Sequence, residues 1–226
     1  MTKEELYLIV SDAVNESELK SNEIPSIDLY VDQILNLVQA KLELGSERYH
    51  ENRLTKTMIN NYSKDSIITP IKGKKYNKEQ ILQILTVYSL KNNISIGEIK
   101  RLLGGAYATD GFDGNSLESL YDRYMAIKQD NRAFSQNVLD DIIDTNGLDV
   151  SDDIDYITAI CTLVSLSAQL KNVAKAMIDA KYPEPIEEDI EKDKKDKKEK
   201  KEDKKEEKKE KKDKKKKDAS DTSSAS

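Results

Sequence analysis

The sequence predicts an all-α fold with one small two-stranded element, and three observations support that class. Apolar residues recur every three or four positions along most of the chain up to about residue 182, which is the period of amphipathic helices. Three segments begin with capping-box pairs, namely Thr2 with Glu5, Asn77 with Gln80, and Ser95 with Glu98. A proline and a glycine interrupt the pattern in "ITPIKGKKY", residues 68–76, and exclude a helix there.

Three helices are predicted before this interruption. The first lies in "TKEELYLIVSDAV", and the second follows "IPS", with Ser26 as its cap and Gly45 at its end. The apolar stripe of the second helix consists of Ile27, Tyr30, Val31, Ile34 and Val38. A short third helix is expected from Thr55 to about Asp65, with Met58, Ile59 and Tyr62 on one side.

Residues 68–76 are expected to form a small hairpin with lysines at its tip. Gly73 permits a turn with positive φ, and the apolar residues on either side of it suit two short extended arms. Asn77 then opens a helix whose run "QILQILTVYSL" is apolar on nearly every side, as expected of a central core helix. The following helix begins at Ser95 and is expected to end at Gly104.

Two longer helices are predicted in the C-terminal half, at about residues 116–144 and 151–181. The second contains apolar positions spaced by three and four, the pattern of a seam between paired helices. This helix, at about residues 151–181, is the seventh predicted one, α7, and we call these positions the α7 seam: Ile154, Ile157, Cys161, Val164 and Ala168. Cys161 is the only cysteine, so it excludes an internal disulfide, fits a reducing compartment and is expected to be buried as a small apolar residue.

The composition argues against enzymatic chemistry. One histidine, His50, and one cysteine are too few for a zinc cluster or a Cys–His nucleophile. Residues 144–155, "DTNGLDVSDDID", resemble a calcium loop, but Leu148 replaces a ligand and Asp149 replaces the turn glycine. We therefore expect no enzyme, no cofactor and no metal. The charged N-terminus and the lack of an unbroken run of about 18 apolar residues predict a cytoplasmic protein without a membrane segment.

The charge of the chain is unevenly distributed. Residues 1–47 hold 3 basic and 10 acidic side chains, residues 48–101 hold 11 and 4, and residues 102–190 hold 6 and 17. A positive block between two negative ones indicates a phosphate-binding surface. The order helix, helix, lysine-tipped hairpin, helix, helix is also that of a winged helix-turn-helix module that binds double-stranded DNA. The predicted DNA-contacting residues are Arg53, Thr55, Lys56, Asn60, Asn61, Tyr62, Lys64, Lys72, Lys74, Lys75 and Tyr76.

Residues 54–103, "LTKTMINNYSKDSIITPIKGKKYNKEQILQILTVYSLKNNISIGEIKRLL", resemble the DNA-binding part of MerR-type regulators. In that family a short helix with an aromatic residue and polar residues is followed by a basic wing, a tyrosine and a polar-capped helix. Residues 60–62 match the short helix, residues 72–75 the wing, Tyr76 with Asn77 the wing exit, and "NNISIGEIKRLL" the closing helix. With "IPSIDLYVDQIL" upstream, residues 24–103 also resemble an uncharacterised bacterial family known only as a domain of unknown function.

The resemblance implies four parts in the chain. They are an N-terminal helix (1–23), a MerR-like winged helix-turn-helix domain (24–104), a helical effector or dimerisation region (105–182) and a Lys/Glu/Asp-rich tail (183–226). The tail is expected to be disordered or a loose solvated helix, because it offers nothing that can be buried. The effector itself is not predicted.

The function expected from these observations is that of a DNA-binding transcriptional regulator, with a homodimer formed through helices in residues 116–181. Two alternatives stay open. The basic wing could bind an acidic protein partner in a protein-interaction module. The chain could also be an architectural factor, similar to an excisionase, that binds and bends DNA.

Overall fold

The computed structural model of the chain describes residues 1–15, 17–42, 53–71 and 73–184. Within these ranges the helices are α1 (Lys3–Ala13), α2 (Val31–Leu42), α3 (Lys56–Lys64), α4 (Lys78–Leu90), α5 (Ile96–Tyr107), α6 (Gly114–Asn146) and α7 (Asp153–Lys181). Two short strands, β1 (Leu29–Tyr30) and β2 (Lys75–Tyr76), form one antiparallel sheet. The predicted class, mostly helical with one small two-stranded sheet, is confirmed at this level.

The predicted helix starts are also confirmed where capping pairs predicted them. Thr2, Asn77 and Ser95 each accept a hydrogen bond from the backbone N–H three residues later, and the return bond of each capping box is present. Thr55 caps α3 in the same way, accepting from the N–H of Met58. Each cap satisfies backbone donors that the first turn of a helix leaves unpaired.

The predicted start of the second helix is wrong. α2 begins at Val31 rather than after Ser26, because Leu29 and Tyr30 form β1. Leu29 is buried and Tyr30 is half-exposed, which is the alternation of a strand rather than the stripe of a helix. The side chain of Gln33 accepts a hydrogen bond from the Tyr30 N–H at 2.9 Å and so fixes the helix start. The predicted end at Gly45 lies outside the described residues.

The predicted hairpin within residues 68–76 is also wrong in its pairing. β2 pairs with β1, with Leu29 opposite Tyr76 and Tyr30 opposite Lys75. Gly73 has the expected positive φ of 82°, but the chain before it runs over the core, where Ile68 is buried, instead of returning beside β2. The strand partner therefore comes from the segment that precedes α2.

Gly104 does not end α5, which continues to Tyr107. The neighbouring glycine, Gly105, has a packing role. A Cβ on Gly105 would lie 2.1 Å from the Cδ1 atom of Tyr182, so the bare backbone of α5 lets the Tyr182 ring approach closely. Gly105 therefore permits this packing, which offsets the cost of about 0.5–1 kcal/mol that Gly carries relative to Ala in a helix interior; a Cβ on Gly104 would meet no neighbour.

The described residues contain two separate apolar clusters. The main core surrounds α4, whose residues from Gln80 to Val87 are all buried, and its buried members run from Leu19 to Tyr121. The first half of α6 belongs to this core through Leu117 and Tyr121, and the Tyr121 hydroxyl donates to the Leu19 carbonyl at 2.7 Å. The core therefore extends beyond the domain boundary expected at residue 104.

A smaller cluster forms where α1, the second half of α6 and the start of α7 meet. Its buried residues are Leu6, Leu139, Ile143 and Val150. The Tyr7 hydroxyl donates to an Asp140 carboxylate oxygen at 2.5 Å beside it. This cluster fixes α1 on α6 and sets the position from which α7 departs.

Most of α7 is exposed. Cys161 is exposed, which contradicts the expectation that it is buried, and every residue of the α7 seam is exposed as well. Among the described residues, α7 is the one helix long and apolar enough to cross a membrane, by length and composition alone. Its sequence contains no unbroken run of about 18 apolar residues, because threonine, serine and glutamine residues are spread through this helix.

Candidate nucleic-acid interface

The sequence of α3 divides the helix into an apolar side and a polar side. Ile59 and Tyr62 are buried in the main core, and Met58 packs against it. Lys56, Asn60 and Lys64 follow one another at intervals of four and are all exposed, so they form a line along the opposite side. Thr57 and Asn61 are exposed beside this line. Two lysines and two asparagines therefore share one solvent-facing arc on a helix of 9 residues.

Both ends of α3 are fixed. Thr55 caps its start. At its end the Ile67 N–H donates to the Tyr62 carbonyl at 2.9 Å and the Ser66 N–H to the Ser63 carbonyl at 3.2 Å, which is the Schellman pattern. Ser66 occupies the left-handed position, with φ of 54°, where glycine is usual. The chain therefore leaves α3 in one direction and presents Lys64 at its last position.

The start of α3 lies close to the strand pair. The Lys56 ammonium contacts the Asp32 carboxylate at 3.4 Å in an exposed ion pair. Asp32 is two residues from Tyr30, and the ammonium of Lys75 lies 5.0 Å from the centre of the Tyr30 ring. The strand pair and the N-terminal end of α3 thus belong to one surface, with Lys74 and Lys75 exposed on it.

We call the exposed side chains of this surface the basic face: Lys56, Asn60, Asn61, Lys64, Lys74 and Lys75.

Two buried glutamines of α4 hold the segment between α3 and β2. Gln83 accepts a hydrogen bond from the Thr69 N–H at 2.7 Å and donates to the Tyr107 hydroxyl at 2.6 Å. Gln80 donates to the Pro70 carbonyl at 2.9 Å. Because buried polar groups are costly when unpaired, these bonds fix the path of the chain toward Lys74 and Lys75. Both glutamines lie in a run predicted to be an apolar core helix, and the pattern of that run does not indicate this positioning role.

The structure separates the predicted contact residues into three groups. Arg53, Thr55, Lys56, Asn60, Asn61, Lys64, Lys74 and Lys75 are exposed. Lys72 lies outside the described residues. Tyr62 and Tyr76 are 4% and 3% exposed and belong to the main core, so a direct contact between either ring and a ligand would require the core to open. We therefore assign Tyr62 and Tyr76 to the core and remove them from the predicted contact surface.

The Tyr62 hydroxyl has an unusual environment. It is the one buried side-chain polar atom, within the described ranges, that has no hydrogen-bond partner. Burial raises the pKa of Tyr62 to about 12, because the phenolate would lose its hydration there. The hydroxyl therefore contributes no bond to the fold.

Two further lysines border α3 that the sequence analysis did not single out. The Lys100 ammonium donates to the Asp65 carbonyl at 2.6 Å and ties α5 to the end of α3. The Lys91 ammonium lies 5.1 Å from the Tyr88 ring centre, and burial lowers the pKa of Lys91. Both side chains already contact the protein, and we do not include them in the basic face. The exposed residues Thr57 and Tyr30 were not among the predicted DNA contacts, although the exposed arc of α3 predicts the position of Thr57.

The acidic clusters do not form a metal site in the part of the chain that the structure describes. No three His, Cys, Asp or Glu side chains converge there in a way that could hold a metal ion. In the segment that resembles a calcium loop, Asp149 binds the backbone and hydroxyl of Ser151, and Asp152 caps α7. These hydrogen bonds match the helix start predicted for this segment.

A family model described as "Domain of unknown function (DUF1836)" matches residues 19–124, just under half of the 226-residue chain. The match confirms the resemblance to a domain of unknown function and extends it beyond residues 24–103 on both sides. Its bounds coincide with the main core, whose buried members run from Leu19 to Tyr121. No curated protein and no solved structure matches the chain.

Proposed function

We propose that this chain is a DNA-binding transcriptional regulator that uses α3 as a recognition helix in a MerR-like winged arrangement. One observation carries the proposal. A short helix, fixed at both ends, presents a continuous arc of lysine and asparagine side chains next to two further exposed lysines. The arc has the size and chemistry of a surface that enters the major groove.

Each residue type on the basic face has a role in this proposal. An asparagine amide can donate to and accept from the major-groove edge of adenine, so Asn60 and Asn61 are the proposed base-contacting residues. Lysine ammonium groups bind phosphate oxygens and release counterions, so Lys56, Lys64 and Lys75 are assigned to the DNA backbone. The proposed contacts therefore combine sequence recognition with salt-dependent affinity.

The existing contacts of these lysines do not prevent DNA binding. The side chains of Lys56 and Asp32 are 61% and 74% exposed, and an exposed ion pair of this kind contributes about 0–1 kcal/mol. The stacking of Lys75 on Tyr30 is worth about 0.5–1 kcal/mol at an exposed site. Both contacts can be exchanged for phosphate at little cost.

The wing in this proposal is the turn at Gly73 together with β2, held against β1. It differs from a hairpin wing because its strand partner precedes α2. Tyr30, which is 49% exposed and lies under Lys75, then becomes part of the DNA-facing surface. An aromatic ring at this position can pack against deoxyribose or a base edge.

The proposal is tested by measuring DNA binding by fluorescence anisotropy across a salt series, with pooled genomic duplexes. The test variant carries Lys64→Ala, Lys74→Ala and Lys75→Ala. We expect the slope of log K against log salt to become shallower by about 2–3, since each lost phosphate contact removes about 0.9. The matched control carries Lys3→Ala, Lys20→Ala and Lys181→Ala, outside the basic face and the α7 seam, and should keep the wild-type slope.

The lysine-rich C-terminal segment requires a second control. Repeating the series with a chain that ends at Tyr182, the last residue of the first compact unit, removes its contribution. No binding of that chain at low salt would overturn the proposal and favour a protein-interaction module. Equal slopes for the two lysine variants would show that the basic face does not contact DNA.

A further inference from the structure

The α7 seam is an apolar stripe that nothing covers within the described residues. Ile154, Ile157 and Val164 are 74%, 58% and 64% exposed, and Cys161 and Ala168 in the same stripe are exposed as well. The intervals of three and four continue to Lys171. Six positions therefore line one side of α7 over about 26 Å, at 1.5 Å per residue.

The seam is exposed because the fold uses other sides of α7. Ala159 is buried, Leu163 packs against the smaller cluster, and Ile178 is buried near the other end. Arg101 donates to the Asp179 carboxylate at 2.7 Å and to the Tyr182 carbonyl at 3.0 Å. The helix is thus held at both ends by this chain, while its seam faces outward.

The charges of α7 indicate what covers the seam. Residues 156–170 contain no charged side chain. Acidic residues precede this stretch, at Asp152, Asp153 and Asp155, and Lys171 and Lys175 follow it. A partner helix that runs in the opposite direction with the same sequence would place acidic residues beside lysines at both ends.

We propose that a second copy of this chain covers the seam, with its α7 antiparallel to the first. The spacing of three and four residues then matches between the two antiparallel helices. Ile154 lies opposite Lys171 of the second copy, Ile157 opposite Ala168, and Cys161 opposite Val164. A twofold axis between Cys161 and Val164 generates the same three pairs in the opposite order. Each Lys171 is adjacent to the acidic start of the other α7. A parallel pair would place like charges together at both ends.

A lipid bilayer is the other environment that would cover an apolar helix, and the contacts of α7 favour a second copy over it. A helix that spans a bilayer on its own is surrounded by lipid on all sides. Insertion of α7 would uncover the buried Ala159 and detach Leu163 from the smaller cluster. It would also break the contacts of Asp179 with Arg101 and of Lys175 with Glu98. Pairing with a second copy leaves all of these contacts in place.

The first test compares two valines of α7 by light scattering coupled to size-exclusion chromatography. Val164 is 64% exposed in the seam, and Val173 is 57% exposed on another side of the same helix. We expect the wild-type chain and Val173→Glu to have twice the chain mass of 25.7 kDa. Val164→Glu should be monomeric with an unchanged circular dichroism spectrum. A monomeric wild-type chain at 100 µM, or equal loss in both variants, would overturn the proposal.

The second test determines the direction of pairing with a short thiol-to-thiol crosslinker. Cys161 lies beside the proposed axis, so the wild-type chain should give a covalent dimer. In a Cys161→Ser, Ile154→Cys variant the two thiols would be about 26 Å apart along an antiparallel pair, and no covalent dimer should form. Crosslinking of the second variant would overturn the antiparallel register. Binding of the monomeric chain to phospholipid vesicles, lost in Val164→Glu, would assign the seam to a membrane instead.

This assembly does not depend on DNA binding. The α7 variants leave the basic face unchanged, and the lysine variants of the basic face leave the seam unchanged. A failure of one proposal is therefore visible without a failure of the other.

Discussion

Residues 19–124 and the helices outside them differ in how much of their apolar surface is buried. The first region buries 21 apolar residues in one cluster, whereas α1, the second half of α6 and α7 together bury only four in theirs, both counts covering the described residues. α7 alone exposes seven large apolar side chains. The first region is therefore a domain with a closed apolar core and a polar surface on α3. The second is an open helical region whose apolar side chains on α7 are exposed.

The family match follows the same division. It covers the closed domain and ends within α6, shortly after that helix leaves the main core at Tyr121. This boundary lies inside a continuous helix of 33 residues, so α6 belongs to both regions and connects them. The basic face and the α7 seam consequently lie on separate regions of the same unit.

The largest expected difference concerns matched isoleucine truncations. Ile84 is fully buried in α4, and Ile143 is 4% exposed in the smaller cluster. We expect Ile84→Ala to lower the free energy of unfolding by about 3–5 kcal/mol and Ile143→Ala by about 2 kcal/mol, because a cavity in a closed core relaxes less. Urea unfolding followed by circular dichroism measures both. Equal losses would contradict the distinction between a closed domain and an open region.

A smaller effect is expected from the glutamine that holds the segment leading to β2. Gln83→Leu leaves the Thr69 N–H without the acceptor it has at 2.7 Å, and an unpaired buried donor costs about 1–3 kcal/mol. The exposed Gln169→Leu in α7 is the control and should change the free energy of unfolding by less than about 0.5 kcal/mol. If Gln83→Leu were as neutral as the control, the glutamine would not fix this segment.

The smallest effects are expected from two tyrosine hydroxyls, and they should have opposite signs. Tyr62→Phe removes a buried hydroxyl without a partner and should raise the free energy of unfolding by up to about 1 kcal/mol. Tyr7→Phe removes the hydrogen bond to Asp140 and should lower it. Thermal unfolding resolves both changes.

Tyr62→Phe should also leave the salt dependence of DNA binding unchanged. A loss of DNA binding would restore Tyr62 to the contact residues from which its burial removes it.

Local signals in the sequence predicted the helices well. The caps at Thr2, Asn77 and Ser95 and the polar arc of α3 depend on residues a few positions apart, so periodicity and capping chemistry are sufficient to find them. Errors arose where partners are distant in sequence. The strand partner of β2 lies at Leu29–Tyr30, and no local pattern specifies such a pairing.

The same limit explains the errors in burial. Cys161 lies in an apolar run, but the side of α7 that carries it is exposed in the described chain. Tyr62 is a different case, because the helical period already places it on the same side as Ile59, and both residues are buried in the core. Gln80 and Gln83 bind a loop that lies ten or more residues away in sequence. The apolar run that contains them therefore does not indicate their roles.

Hydrogen–deuterium exchange of the full chain, with and without a mixed-sequence DNA duplex at low salt, tests the division of roles most directly. We expect slower exchange on DNA binding in residues 55–64 and 73–76, and no change in residues 156–170. DNA binding that leaves exchange in residues 55–64 and 73–76 unchanged, or that slows exchange in α7 instead, would contradict this division of roles.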